Sequence, residues 1–476
     1  MTQSTGILII GAGPTGLGAA WRLLARGESD WLLCEAASDA GGLAGSIVDE
    51  AGFTWDLGGH VQFSHYDYFD ELMDDLLGAD GWLYHQRESW VWVRSRFVPY
   101  PFQLNLHRLP DGEQGRCVRG LISALRANAQ ERPRPTNFSE WIDAAFGAGI
   151  GDVFLRPYNR KVWAHPLEEL SWSWVGDRVA LVDLPRVVEN IRLHRDDVSW
   201  GPNNTFRFPR HGGTGAIWRT LACRLDQAAP GRLQFGRRIT AVDTAAHVAS
   251  FDDGARITYG TLLTTIPLDA LVAASDLAPR LGPALAGLRC SATHVVGIGL
   301  HGRAPAHVAR KCWMYFPEDD CPFYRVTHFS RYSPNNVPDI SRQWSLMAEV
   351  SESAAKPVDG SCVVSSTVDG LMNTGLISDR AQVHHTWHRR LPRGYPTPSR
   401  DRDRALDQVL PAFEARGVYS RGRFGAWKYE VSNQDHSFAQ GVECIDHVRD
   451  GAEETTLRRP DIVNARRSSP RAAAAR

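Results

Sequence analysis

The alternation of apolar and polar positions divides the chain into recognisable stretches. Residues 7–10 (ILII) are a short continuous apolar run bounded by glycine, which predicts a buried strand. GAGPTGLGAAWRLLARG follows as a turn entering a helix, with Gly27 placed to stop it. WLLCE at 31–35 is a second buried strand, so residues 7–35 predict a βαβ unit. Residues 88–103 mix β-branched and aromatic side chains with Pro99 and Pro101, the composition of a strand and loop at a sheet edge. From about 113 to 195 the apolar spacing becomes helical, broken by a polar turn at 131–137 (ERPRPTN). TFRFPRHGGTGAIWRTLA at 205–222 reads as a glycine turn entering a helix. RLQFG, RITAVD, VASFDD, RITYG and TLLTTI within 232–266 read as short strands with turns between them. Strands continue at 293–300, 311–316 and 344–351, a helix is expected at 402–416, and 465–476 reads as a loose tail.

Composition narrows the class. A chain of 476 residues is too long for one core, so two or three domains are expected. Hydrophobic content of 43% and charged content of 22% are those of a soluble globular protein. A formal net charge of -1 argues against nucleic acid or an acidic membrane as partner. The eight cysteines are scattered, with no CxxC pair and no zinc spacing, which predicts a reducing compartment and no metal. No stretch approaches ~18 continuous apolar residues, and no basic region precedes an apolar run at the N-terminus. A cytoplasmic protein without a membrane span is therefore expected. The 16 tryptophans suit sugars and flat rings, although the core claims most indoles.

The candidate chemistry begins at Gly11-x-Gly13-x-x-Gly16, which follows a strand and opens a helix, with Glu35 ending the next strand. The first glycine makes the turn, the second admits a pyrophosphate, the third lets helix and strand pack, and the acid accepts from a ribose hydroxyl. Gly42, within GGLAG at 41–45, adds to a resemblance to the extended fingerprint of FAD-binding proteins of the glutathione-reductase type, which favours FAD over NAD. The expected fold is α/β: an FAD-binding Rossmann-like domain, a helical domain and an antiparallel β-sheet domain. GGHVQFSHYDYFD at 58–70 then sets Gly58 and Gly59 where a backbone can lie against a flat ring. His60 and His65 are either acid/base groups or hydrogen-bonded structural histidines.

With VPYPFQ, RPYNRKVWAHP, WVGDRVA, GPNNTFRFPRHGGTGAIW, KCWMYFPEDDCPFYR, HRRLPRGYPTP and RGRFGAWKYEVSNQDHSF, this stretch resembles the UDP-galactopyranose mutase family, in the type known from fungi and other eukaryotes. The resemblance is collinear from Gly11 to about Arg467. It implies that His60 sets its backbone against flavin N5, with His65 behind it, and that Asp435 and Ser437 also contact the cofactor. Arg178 and Arg325 would hold a substrate diphosphate, and Arg423 would lie near flavin and sugar. Asn203, Tyr315, Tyr395, Tyr429 and Asn433 would complete the phosphate and sugar contacts, and Trp313 would wall the sugar. Tyr100, Phe102, Gln103, Asn159 and Trp163 would enclose the nucleobase. Arg87 and Ser89 match positions that receive NADPH or NADH as reductant. Plainer roles exist for several of these: Arg178 pairing with Asp177, Arg325 capping a strand, Tyr395 serving as a turn aromatic.

The implied reaction interconverts pyranose and furanose forms of a nucleotide-diphosphate hexose, through attack of reduced FAD N5 on the anomeric carbon. UDP-galactose is the first expectation. Leu104, where the family usually has Asn, keeps GDP- and TDP-hexoses open, and a net amine-oxidase-like oxidoreductase is the rival class. Further departures are Asp177 for Glu, Lys428 for Arg, and a shorter loop after Asn336. The expected domains are FAD-binding (1–86, 205–285, 415–465), helical with a substrate lid (105–197) and sheet (87–104, 198–204, 286–414), with a tail at 466–476. A homo-oligomer is possible on the same resemblance.

Overall fold

The computed structural model describes residues 2–129, 133–176, 179–198 and 204–465. The expected tail at 466–476 lies outside them, as do Arg178 and Asn203.

The continuous apolar run near the N-terminus is explained by burial on both faces. In the strand Thr2–Ile10, Ile7 and Ile9 pack into one core with Leu17, Trp218 and Phe438, while Leu8 and Ile10 pack into another with Leu406, Val409 and Phe413. The strand is central in a sheet ordered Ile239–Asp243, Val248–Phe251, Arg256–Thr264, Thr2–Ile10, Trp31–Cys34, Leu233–Gln234, with Val418–Ser420 alongside Arg256–Thr264. The pairings of Thr2–Ile10 with Trp31–Cys34 and with Arg256–Thr264 are parallel, as a βαβ unit requires. RITYG and TLLTTI, expected as two strands, are one. At Gly260 a Cβ would lie 2.8 Å from the Gly6 carbonyl oxygen, so the glycine permits close pairing rather than marking a break.

The second large sheet runs Val383–Thr397, Arg289–His301, Gln343–Glu352, Arg325–His328, Trp313–Tyr315, Ser89–Val93, Arg96–Pro99. It is antiparallel, as expected, with one parallel pairing, of Trp313–Tyr315 with Ser89–Val93. Arg96–Pro99 is an edge strand, as its terminal Pro99 suits. Cross-strand register places Tyr315, Arg325 and Glu349 in one row. Helices Asp111–Asn128, Phe138–Ile150, Arg156–Trp163 and Leu184–Leu193 form the helical part around Phe146, Ile150, Phe154 and Leu104. The stretch expected to enter a helix at 205–222 first makes a strand, Thr205–Pro209, paired antiparallel with Trp82–Gln86. No helix among the described residues is long and apolar enough to cross a membrane.

Candidate active site

A cavity of about 610 Å³ runs from the first βαβ unit to the second sheet. At its first end Gly11 adopts φ +104°, and a Cβ on Gly16 would sit 1.8 Å from the Gly11 carbonyl oxygen. The helix Pro14–Ala25 starts with Gly13 as N-cap, no side-chain cap and no acid in its first turn. Gly13, Pro14 and Thr15 line the cavity, so the positive end of this helix is presented to whatever occupies it. Glu35 also lines it, and its carboxylate is fixed by the N–H groups of Ala12 and Ala37, each at 2.7 Å. Gly42 completes this end. The helix Gln434–Asp450 packs closely enough on Pro14–Ala25 that a Cβ on Gly441 would lie 2.0 Å from the Thr15 carbonyl oxygen. That contact brings Asn433, Asp435 and Ser437 to the same wall. A glycine cradle, an uncapped helix start and an oriented carboxylate fit a dinucleotide of the FAD kind.

The middle of the cavity is walled by Gly58, Gly59 and His60. Gly58 adopts φ +134°. The Gly59 N–H donates to Glu349 Oε1 at 2.9 Å, and a Cβ on Gly59 would come within 3.0 Å of the Arg325 guanidinium. A side chain at 59 would therefore push on the arginine. Burial pushes His60 down to about 4, with the Arg423 and Arg325 charges acting in the same sense against the pull of Glu349. His60 is neutral at physiological pH. Its Nδ1 is buried without a partner among the described residues, as are Thr293 Oγ1 and Thr327 Oγ1 on the same cavity. Orphaned polar atoms of this kind mark a space shaped for a polar ligand.

The far end is cationic and aromatic. Glu349, 2% exposed, accepts from Arg325 through Nη2 at 2.9 Å and through a shorter contact from Nε. Burial works to raise the Glu349 carboxyl, but the Arg325 charge and hydrogen bonds outweigh it and hold it below the usual carboxylate range. Arg325 Nη1 makes no hydrogen bond among the described residues, which leaves it for a ligand. Trp313, Tyr315, Tyr395, Tyr429 and Arg423 line the remaining wall. Trp313 Nε1 donates to the Tyr315 hydroxyl at 2.6 Å. Arg423 donates to Gly394 O at 2.8 Å and Ser432 Oγ at 2.9 Å, with its guanidinium 5.0 Å from the Tyr395 ring. It therefore ties the two segments that carry Tyr395 and Tyr429.

Other sequence-predicted residues stand outside this cavity. His65 lies behind it, with Nδ1 2.7 Å from Asp435 Oδ2, while Asp435 Oδ1 faces His436 Nδ1 at 3.1 Å. Those three groups lie close enough to hold a metal, a juxtaposition the spacing rules did not suggest. Burial opposes ionisation of Asp435, but His436 and His65 together hold it well below its ordinary value. Trp163 stacks edge-on to Tyr429 at 4.8 Å and Tyr395 at 5.9 Å. Tyr100 lies 5.5 Å from Tyr315, and the Arg87 guanidinium lies 5.5 Å from the Tyr100 ring. Ser89 is buried in the adjacent strand. Phe102 packs on Phe154 at 4.9 Å, and Asn159 donates to the carbonyl oxygen of Leu155, the residue that precedes its helix. Gln103 donates to Ala180 O at 2.6 Å, and its Oε1 is buried without a partner among the described residues. The side chain of Leu104 belongs to the helical core.

Comparison with known proteins decides the lineage. A family model for flavin-containing amine oxidoreductases matches residues 14–414. A solved structure of reduced UDP-galactopyranose mutase is 47% identical, covers 98% of each chain and superposes with a TM-score of 0.93. The chain belongs to the UDP-galactopyranose mutase family. Putrescine oxidase with putrescine bound (14% identity, 94% of this chain and 99% of that chain, TM-score 0.64) and a fatty acid isomerase from P. acnes (14%, 94% and 99%, 0.61) share the fold alone. Within the family fold, the residues that sequence reasoning missed are those that hold other residues. Glu349 is the one charged residue of the strand Gln343–Glu352 before its terminal Glu352, a signal available in the sequence. Gln440 accepts from the Gly422 N–H at 2.8 Å and donates to Val431 O at 2.7 Å, joining the Arg423 and Tyr429 segments. Nothing in its helix marks it beforehand.

Proposed function

We propose that the chain is a flavin-dependent mutase that interconverts the pyranose and furanose forms of a nucleotide-diphosphate hexose, with UDP-galactopyranose and UDP-galactofuranose as the substrate pair. One observation carries this: a single cavity joins a dinucleotide cradle to an arginine whose Nη1 makes no hydrogen bond among the described residues, inside a wall of tyrosine and tryptophan. An anionic diphosphate is attracted to Arg325 and Arg423, whereas the cationic amine of an amine oxidase substrate is repelled by them. When bound and reduced, FAD supplies an electron-rich N5 as the nucleophile. The protein's own share is orientation. Arg325 Nη1 holds a phosphate oxygen, with Glu349 fixing the guanidinium plane. The Tyr315, Tyr395 and Tyr429 hydroxyls meet phosphate and sugar, and Trp313 excludes water beside them. Neutral His60 would set its backbone against the flavin without adding charge. Arg178 and Asn203 join this reading from the sequence alone, as the remaining diphosphate and sugar contacts.

The same reading assigns Tyr100, Phe102, Gln103, Asn159 and Trp163 to the base side, and NADPH or NADH at Arg87 and Ser89 as reductant. It places the enzyme in the cytoplasm, as a possible homo-oligomer, with the helical segment 105–197 as a separate domain. The test is a panel of UDP-, GDP- and TDP-hexoses incubated with dithionite-reduced protein and read by chromatography. Ring-isomerised UDP-galactose is expected. Turnover of an amine with an electron acceptor, and no isomer from any nucleotide sugar, overturns the proposal.

A further inference from the structure

The loop that walls the cavity carries one polar side chain that no role above uses. Gln62 is 2% exposed and lines the cavity, and its side-chain Nε2 is buried with no partner among the described residues. A buried amide donor without an acceptor is costly, and an apolar side chain of the same size avoids the cost. Its position is not loose. The Gln62 N–H donates to the Arg207 carbonyl oxygen at 3.0 Å, and the Gln62 carbonyl oxygen accepts the Arg207 N–H at 3.0 Å. Arg207 is held in turn by Asp70 at 2.9 Å and by Asp74, with its guanidinium 4.5 Å from the Trp82 ring. This clip fixes the downstream end of the loop, while Gly59 at the other end rests on Glu349. The side chain is aimed by a rigid backbone.

We infer that Gln62 donates its side-chain amide to a neutral acceptor oxygen of the ligand held against the Gly58–Gly59 wall, and is a further binding residue of this site. The inference rests on the flavin-and-sugar reading above. The acceptor is a carbonyl or hydroxyl oxygen of the flavin or a hydroxyl of the sugar, and the two sources separate by experiment. Gln62→Met removes the donor at similar volume, and Gln62→Glu replaces it with a charged acceptor that repels the same oxygen.

Both variants are purified with bound flavin and compared with the wild type for FAD retained per chain, visible spectrum, reduction midpoint, and kcat and KM with UDP-galactofuranose. A flavin contact shifts the spectrum or midpoint and accelerates FAD loss several-fold, with KM unchanged. A sugar contact leaves the flavin signals in place and raises KM about tenfold, with Gln62→Glu worse than Gln62→Met. Wild-type flavin signals and wild-type KM in either folded variant overturn the inference while the functional reading stands. Wild-type protein that cannot be loaded with FAD overturns both.

Discussion

Arg421 and Arg325 each hold a buried glutamate, and the two pairs leave different remainders. Arg421 is fully buried and spends every nitrogen. Nε and Nη2 reach Glu454 at 2.5 and 2.6 Å, Nη2 also reaches Glu414 at 2.7 Å, and Nη1 reaches Ser420 O at 2.9 Å. It sits directly behind Gly422 and Arg423 and faces nothing but protein. Arg325 uses Nε and Nη2 on Glu349, keeps Nη1 without a hydrogen bond among the described residues, and its side chain is 21% exposed at the cavity wall. A saturated guanidinium is a structural brace, and an unsaturated one at a cavity wall is oriented in advance to receive a ligand, the role proposed above for Arg325. Asp56 adds a third case. It accepts from Ser46 Oγ at 2.5 Å and from Thr214 N and Oγ1 at 3.1 and 3.0 Å, and burial pushes it up to about 7.

The contrast breaks most severely at Glu454. Glu454→Ala leaves Arg421 buried with only part of its compensation, and the expected loss is about 3–5 kcal/mol of stability. Urea unfolding reads it, and a loss under about 1 kcal/mol would mean that the brace is not a brace. At the other pair the order of effects reverses. Arg325→Ala is expected to lower kcat/KM about tenfold to more than a hundredfold, the worth of one charge-assisted contact of about 1.5–3 kcal/mol. Arg325→Lys keeps the charge but loses the fork, and is expected to recover only part. Near-normal kcat/KM in Arg325→Ala removes the diphosphate role.

Asp56 sharpens the comparison through pH. Its folded value lies above the ordinary aspartate value of about 3.9. The folded chain therefore keeps a proton that the unfolded chain releases between about pH 4 and 7, and stability falls as pH rises through that window. Asp56→Asn removes this slope, so the variant is expected to gain on the wild type as pH rises from about 4 to 7, by about 1.4 kcal/mol for each unit of raised value. Parallel melting curves across that range contradict it. The smallest effect is expected at Glu35. Glu35→Ala loses a ribose contact worth about 1 kcal/mol, and FAD dissociation measured by fluorescence is expected to accelerate about fivefold. An unchanged rate would place the ribose elsewhere.

These regions were unequally legible in the sequence. The cradle at Gly11, Gly13, Gly16 and Glu35 is written in local spacing, because one turn and one helix start make it. Arg325, Tyr315 and Tyr395 were reached through family resemblance, and the cavity gathers them. Glu349 was not anticipated, because its meeting with Arg325 is a matter of cross-strand register between distant strands. In the sequence Thr205–Pro209 reads as the approach to a helix, because its partner Trp82–Gln86 lies more than a hundred residues upstream. Nothing in the sequence marks Val383–Thr397 as a strand, since an edge strand with Pro392 and Pro396 shows neither apolar continuity nor clean alternation.

Counting product against reducing equivalents under anaerobic conditions decides the chemistry. The flavin is reduced with a known, limiting amount of dithionite, UDP-galactofuranose is added in excess, and isomerised sugar is counted per electron pair. Many product molecules per pair are expected, with negligible activity while the flavin is oxidised. One product per reductant consumed, or equal activity with oxidised flavin, would show that the cavity does not house a mutase.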